Sequence, residues 1–93
     1  MISIVILPSF ERCVKKMDAQ NRKRLALALE KLNQFFITGD ARVGLGFKKI
    51  NHDKYEFRLD LKLRVVLKKE GDIFYLVLVG NHDEVRQYLR DYK

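Results

Sequence analysis

The sequence has little cysteine, and this bears on which covalent bonds the protein can form and on the redox state of its compartment. Cys13 is the only cysteine among 93 residues, so no disulfide can form within the chain. A chain without disulfides is typical of a reducing cytosol, and we expect a cytoplasmic protein. We expect Cys13 to fill a core position rather than to react, because free cysteine behaves mostly as a small buried hydrophobe.

Long apolar runs and ligand-binding motifs are missing as well. No segment approaches the ~20 apolar residues of a membrane-spanning helix, and the apolar stretch 2–7 is too short for a signal-peptide core. Gly39, Gly44 and Gly46 do not have the spacing of a phosphate-binding loop. No Cys/His cluster has zinc spacing. We therefore expect no membrane segment, no metal and no other cofactor.

What the chain does have is positive charge. Nineteen Lys and Arg against 12 Asp and Glu give a formal net charge of +7. Such a charge suggests a polyanionic partner: nucleic acid, an acidic protein or an anionic surface. With 93 residues, 47% of them hydrophobic, the chain has the size and composition of one globular domain over 1–93.

The first 38 residues predict a strand and two helices. The β-branched stretch 2–7 predicts the strand, Pro8 breaks it, and Ser9 is placed to cap the first helix. Asp18 is placed to cap the second helix. The first helix has an apolar face at helical spacing, Phe10, Cys13, Val14 and Met17, and the second has Leu25, Ala28, Leu29, Leu32, Phe35 and Phe36. We expect the two helices to form a hairpin that packs on one face of a sheet.

After a loop over 38–46, four strands and a helix are predicted. The strands are 47–50, 55–60, 63–69 and 73–79, joined by turns. Segment 73–79 is apolar on both faces, so we expect it to be buried on both sides and central in the sheet, with Gly80 ending it. Asn81 and Glu84 resemble a capping box for the last helix. Its apolar side is Val85, Tyr88, Leu89 and Tyr92.

This order of elements predicts an α+β fold. The strands form an antiparallel meander, and the helical hairpin covers one of its faces. In segment 55–60 the alternate residues Glu56, Arg58 and Asp60 lie on the other face. We expect that second face to be left open and to carry Arg58 and Arg64.

Three short motifs carry a resemblance to a known family. They are Tyr55-x-x-Arg58, then Arg64-Val-Val, then Gly80-x-His82, preceded by Gly44-Leu-Gly-Phe-Lys-Lys-Ile50. In this layout the chain resembles, over essentially its whole length, the RelE/ParE superfamily of toxins from bacterial type II toxin–antitoxin modules. The resemblance implies a small twisted antiparallel sheet with helices on one side, and an acidic cognate antitoxin as partner.

The two branches of that superfamily imply different activities. The RelE branch cleaves mRNA in the ribosomal A site, and the ParE branch poisons DNA gyrase and has no nuclease site. We expect a ribosome-dependent mRNA endonuclease, with the ribosome and mRNA as partners. A gyrase inhibitor or an inactive toxin homologue is the alternative.

The resemblance also implies roles for single residues. Arg64 matches an arginine that holds the scissile phosphate, and Arg58 matches a second basic position. His82 falls where some relatives have a general acid, and Tyr88 where some have a tyrosine near the 2′-hydroxyl. The carboxylates Glu56 and Asp60 depart from the pattern, because some relatives have basic residues there.

The chemistry of RNA cleavage without a metal points to the same group of residues. Guanidinium groups of Arg58 and Arg64 can stabilise charge on the phosphate, and the imidazole of His82 can protonate the leaving oxygen. Glu56 can accept the 2′-hydroxyl proton. Competitors for that role are Lys48, Lys49 and Tyr88. Further RNA contacts are expected from Lys48, Lys49, Lys68, Arg22, Lys23 and Arg24.

Structural explanations for the same residues stay open at this point. Arg58 and Arg64 can form cross-strand ion pairs with Glu56 and Asp60. His82 can simply occupy the first turn of the last helix, and the basic residues of the helical hairpin can be a solvated face.

Overall fold

The computed structural model describes residues 2–39 and 46–91. In this part of the chain the elements are β1 (Ser3–Ile6), α1 (Pro8–Lys15), α2 (Ala19–Thr38), β2 (Lys48–Lys49), β3 (Lys54–Arg58), β4 (Arg64–Glu70), β5 (Ile73–Gly80) and α3 (His82–Asp91). The predicted loop over 38–46 lies partly outside the described residues, as does Tyr92. The first residues of that loop are described: Thr38 is the last residue of α2, and Gly39 caps the helix with a φ of 71°.

The strands form one mixed sheet in the order β1-β5-β4-β3-β2. Strands β2 to β5 are the predicted antiparallel meander. Strand β1 instead runs parallel to β5, with Ser3 opposite Ile73 and Ile6 opposite Leu76. The predicted α+β class is confirmed. Strand β5 is interior, as expected, but β4 is the middle strand of the five because β1 adds at the far side of β5.

The two N-terminal helices begin differently. Asp18 caps α2 as predicted, and its Oδ1 accepts from the backbone N–H of Asn21 at 2.8 Å. Ser9 does not cap α1. Proline is well suited to the first helical position because it needs no N–H partner there, so the helix already begins at Pro8. The Ser9 hydroxyl instead donates to the carbonyl of Val77 at 2.7 Å and ties α1 to β5.

The main core lies between the helical hairpin and one face of the sheet. Its buried residues are Phe10, Leu25, Ala28, Leu32, Phe57, Val65, Leu67, Phe74, Leu76 and Val79. Cys13 is partly buried and packs against this cluster, as expected for a structural cysteine. Each large apolar side chain that is fully buried contributes about 1.5–3 kcal/mol, so this face holds the hairpin on the sheet.

The second face of the sheet is only partly open. Val66 alternates with Val65 and Leu67 and so points to this face, yet it is fully buried. Helix α3 contacts β4 and β5, and its Val85 is buried too. We infer that α3 covers the β4–β5 part of this face. The open part is therefore limited to the side of β2 and β3 and to the ends of the strands.

A sharp turn from β5 into α3 makes this arrangement possible. The predicted capping box is present: the Glu84 N–H donates to Asn81 Oδ1 at 2.9 Å, and the Asn81 N–H donates to Glu84 Oε1 at 3.0 Å. A Cβ on Gly80 would lie 2.9 Å from the Cβ of Glu84. The first turn of α3 thus needs the space that glycine leaves.

The turn between β3 and β4 is built on Asp60. Its Oδ1 accepts from the backbone N–H groups of Lys62 and Leu63, both at 2.7 Å, and its Oδ2 lies 3.3 Å from Nη1 of Arg24. The two backbone bonds, first that of Leu63, lower the pKa of Asp60 below its ordinary value of 3.8, with a smaller contribution from Arg24. Asp60 therefore shapes a turn and links it to α2.

We expect Gly80→Ala to destabilise the protein by about 1–3 kcal/mol, because the added methyl group collides with a Cβ that is rigidly placed on the helix. Urea unfolding measures the change. Asn81→Ala is the control, since it removes the cap without the clash and costs about 1 kcal/mol. A Gly80→Ala protein with the unfolding midpoint of the parent would show that α3 is not packed as described.

We expect Asp60→Ala to cost about 1–2 kcal/mol at neutral pH. Because the folded-state pKa is lowered, the ionised carboxylate contributes stability above its ordinary pKa, and this is lost as pH falls through the folded value. The difference in free energy of unfolding between parent and variant should shrink from pH 7 towards about pH 2.5. Asp72→Ala, at an exposed turn, should change stability by less than about 0.5 kcal/mol at pH 7. A pH-independent difference would contradict the role of the ionised group.

Candidate functional site

A row of residues crosses the ends of three strands. Arg58 on β3 is paired with Arg64 on β4, and Arg64 is paired with Gly80 on β5. Residues directly opposite in neighbouring antiparallel strands share a face, with Cβ atoms about 4.5–5.5 Å apart. His82 follows two residues after Gly80 as the first residue of α3. The fold thus assembles both arginines on one face and places His82 just beyond the same row.

A buried carboxylate lies in the next row. Glu56 on β3 is paired with Lys48 on β2 and with Val66 on β4. Its side chain is 9% exposed, and its Oε1 lies 3.3 Å from Nη1 of Arg64 and 3.4 Å from Nζ of Lys48. A carboxylate is buried at acceptable cost only when it is paired. Glu56 therefore holds two cations in place at the edge of the open face.

Arg58 and Arg64 differ in how free they are. Arg64 is engaged by Glu56 and its side chain is 22% exposed. Arg58 is exposed and forms no ion pair with any residue in the ranges 2–39 and 46–91. The alternative that Asp60 pairs with one of these arginines is wrong, because the turn orients Asp60 towards Arg24. One of the two guanidinium groups is thus available to a ligand without breaking an ion pair.

A second charged cluster lies four residues further along β4. Lys54 is buried with its Nζ 2.8 Å from Asp53, and this bond lowers the pKa of the Asp53 carboxyl. Nζ of Lys68 lies 3.1 Å from Glu70, which raises the pKa of Lys68. The sequence did not predict the ion pair between the buried Lys54 and the partly exposed Asp53, because 51–54 has turn-forming residues. The only signal was that Lys54 continues the alternation of Glu56 and Arg58.

Tyr88 belongs with this second cluster. The tyrosine interacts electrostatically with Lys68, which lies four residues from Arg64 on the same face of β4. That spacing corresponds to about 13 Å along a strand. The structure therefore links Tyr88 to Lys68 rather than to Arg58 or Arg64 among the interactions described here.

The other expected RNA contacts are scattered over the molecule. Lys48 lies at the site, whereas its neighbour Lys49 is paired with Tyr55 and so points to the opposite face. The Arg22 guanidinium donates to the carbonyls of Val14 and Lys15 at 3.3 and 3.2 Å and closes the end of α1.

The remaining hairpin cations also lie away from the site. Arg24 is linked to Asp60, and Lys23 is exposed on α2. Helix α2 packs on the face of the sheet opposite to Arg58. The structure therefore does not bring the hairpin cations into the site.

Within residues 2–39 and 46–91, no three His, Cys, Asp or Glu side chains form a group that can hold a metal ion. No helix in the same ranges has both the length and the apolarity to cross a membrane.

Comparisons with known proteins bear on the fold. No protein-family model matches the chain, and neither does a curated protein sequence. Solved structures do. The RelB–RelE antitoxin–toxin complex from Methanococcus jannaschii matches with a TM-score of 0.69 and 21% identity, over 90% of this chain and 96% of that one.

Two further structures match over similar lengths. The DinJ–YafQ complex from E. coli has a TM-score of 0.63 and 14% identity, covering 91% of this chain and 98% of that one. The YoeB/ParE toxin from Agrobacterium tumefaciens has a TM-score of 0.62 and 16% identity, covering 87% of this chain and 99% of that one. The likeness extends over nearly the whole described chain. The chain therefore has the same α+β fold as these RelE, YafQ and YoeB/ParE structures.

Proposed function

We propose that the chain is the toxin of a type II toxin–antitoxin module and that it cleaves mRNA on the ribosome in the cytoplasm. The observation that carries this proposal is the row of Arg58 and Arg64 on one open face, with His82 next to it. The fold adds support, because it is shared with proteins described as RelE, YafQ and YoeB/ParE toxins.

The two arginines have different roles at the phosphate. Arg58, which is exposed, takes the non-bridging oxygens as a bidentate donor. Arg64 is tethered by Glu56, so its guanidinium is already oriented when negative charge builds up on the pentacoordinate phosphorus. Donors that need no reorganisation during the reaction stabilise the transition state most effectively.

The proton transfers involve the groups on either side of the arginines. His82 donates a proton to the 5′-oxygen as the bond from phosphorus to that oxygen breaks. The attacking 2′-oxygen gives its proton to the carboxylate of Glu56, which shares the cluster with Arg64. Lys48 is an ammonium ion paired with Glu56 and so cannot accept that proton. Lys49 faces the other side of the sheet and Tyr88 lies near Lys68. The products are a 2′,3′-cyclic phosphate and a 5′-hydroxyl.

One observation favours a second candidate function. Glu56 offsets part of the charge of Lys48 and Arg64, and this leaves the face less basic than a face of unpaired cations. A non-enzymatic inhibitor that binds a protein such as DNA gyrase needs no reactive phosphate site. Inducing the chain in a bacterium, mapping mRNA 5′-ends and assaying gyrase supercoiling distinguishes the two activities.

The partner of such a toxin would be an acidic antitoxin. The formal charge of +7 supports this, and so does a groove of about 410 Å³ between α1 and α2. The groove is apolar at Phe10, Val14, Leu25 and Leu29, and its charged lining residues are Lys15, Arg22 and Glu11, two cations and one carboxylate. We propose that an amphipathic acidic segment of the antitoxin lies in this groove and orders as it binds. RelB–RelE and DinJ–YafQ were solved as toxin–antitoxin complexes.

We expect Arg58→Ala to slow single-turnover cleavage of ribosome-bound message by about 10²–10³, and His82→Gln to slow it by about 10²–10⁴. Both side chains are exposed, so both variants should melt like the parent. Arg12→Ala removes an equally exposed arginine from α1 and should cleave at the parent rate. Normal cleavage by Arg58→Ala would refute its role at the phosphate.

Arg64 needs a different design because Glu56 depends on it. Arg64→Ala leaves a buried carboxylate with Lys48 as its only ion-pair partner among the described residues, at a cost of about 1–3 kcal/mol. The double variant Glu56→Gln/Arg64→Ala removes that penalty. Glu56→Gln alone is the reference, because it removes the proposed base without touching Arg64. If the double variant is folded and cleaves more slowly than Glu56→Gln, Arg64 acts on the phosphate rather than on the fold.

We expect Ala26→Glu to weaken binding of the antitoxin at least tenfold. Ala26 is exposed and lines the α1–α2 groove, so a glutamate there fills the groove and repels an acidic segment. The binding partner to test is the product of the neighbouring gene, by titration calorimetry. Ala19→Glu, also exposed on α2 but outside the groove, is the control. Equal binding by both variants would place the antitoxin elsewhere.

A further inference from the structure

A second cleft, of about 740 Å³, lies between α1 and α3. Its floor is Val77 and Leu78 on β5, and Cys13 and Tyr88 line it from the two helices. The cleft exists because pairing of β1 with β5 ends at Ile6 and Leu76, whereas β5 continues to Gly80. This last part of β5 is therefore flanked by helices on the side where β1 would have continued.

The charge of this cleft is opposite to that of the chain. Asp83, Glu84 and Asp91 line it, and its described lining residues include no Lys or Arg, although the chain has 19 of them. None of the three carboxylates forms an ion pair with a described residue. Glu84 is used in the capping box, and Asp91 accepts from Gln87 at 3.1 Å. All three side chains are exposed at the cleft.

We propose that the α1–α3 cleft is the docking site for a basic segment of a protein partner, in which a large apolar side chain is flanked by Lys or Arg. The apolar side chain fits over Val77 and Leu78, and the flanking cations meet the carboxylates at the rim. Apolar burial supplies affinity, and complementary charge supplies selection of the partner. RNA and an acidic antitoxin are both disfavoured here by their own negative charge.

The lining residues of the cleft differ from the residues of the two surfaces already described. The α1–α2 groove is lined by Lys15, Arg22 and Glu11 and is the surface proposed above for an acidic segment. The row of Arg58 and Arg64 selects phosphate. The α1–α3 cleft is lined by neither of these sets, although Asp83 at its rim directly follows His82 in the chain. This proposal therefore does not depend on nuclease activity.

The test uses short synthetic peptides in which Leu or Phe is flanked by Arg, added to the full chain at low salt. Cys13 is the only cysteine, so its alkylation by the neutral reagent N-ethylmaleimide reports on this cleft alone. The cleft variant is Asp83→Asn/Asp91→Asn, which keeps the capping Glu84. The control Glu30→Gln/Asp72→Asn removes the same charge from exposed positions that do not line the cleft.

We expect peptide binding to slow alkylation of Cys13, and we expect the cleft variant to bind about tenfold more weakly than the parent. The control variant should bind like the parent. Thermal melting of both variants shows whether the fold is kept. Binding that leaves Cys13 unprotected, equal weakening in both variants, or no binding by any peptide of the panel would each overturn the proposal. The peptides themselves test docking whether or not the chain cleaves RNA.

Discussion

The arrangement of this molecule depends on the burial of β4 and β5 on both faces. One face of these strands buries Val65, Leu67 and Leu76, and the other buries Val66 and Val77. Both faces must therefore be shielded from water by helices. The helical hairpin packs on the first of these faces. Helix α3 packs on the second by folding back over the sheet, and this is possible only because Gly80 has no side chain where Glu84 packs.

Because helices pack on both faces of β4 and β5, only some positions of the sheet leave charged side chains accessible to a ligand. With β4 and β5 covered, polar side chains on the second face are confined to β2, β3 and the strand ends. The positive charge of this face is partly neutralised, because the buried Glu56 forms ion pairs with Lys48 and Arg64. A buried carboxylate restricts the two cations it holds. Arg58 remains the exposed member of the row, which makes it the residue best placed to meet an incoming phosphate.

The distribution of charge over the surface is uneven, and this bears on partners more than the net charge does. A basic chain with an acidic cleft between α1 and α3 can distinguish partners by the sign of their charge. The groove between α1 and α2 and the cleft between α1 and α3 lie on opposite sides of α1. Helix α1 thus separates a groove whose charged lining residues are two cations and one carboxylate from a cleft whose charged lining residues are three carboxylates.

The sequence by itself determined the local features of the fold. Periodicity predicted both helices of the hairpin and the four-strand meander, and the caps at Asp18 and Asn81 were predicted because side-chain capping depends only on neighbours in the chain. It also predicted that Arg58 and Arg64 share a face, since side chains alternate along each strand and a short turn fixes how the two strands of a hairpin pair.

Only the tertiary structure decided which of these residues meet. The parallel pairing of β1 with β5, the bond from Ser9 to Val77, and the pairing of Asp60 with Arg24 rather than with the sheet arginines all join residues far apart in sequence. The same holds for the position of Tyr88 near Lys68. Such contacts depend on how whole elements pack, and the pattern within each element does not contain that information.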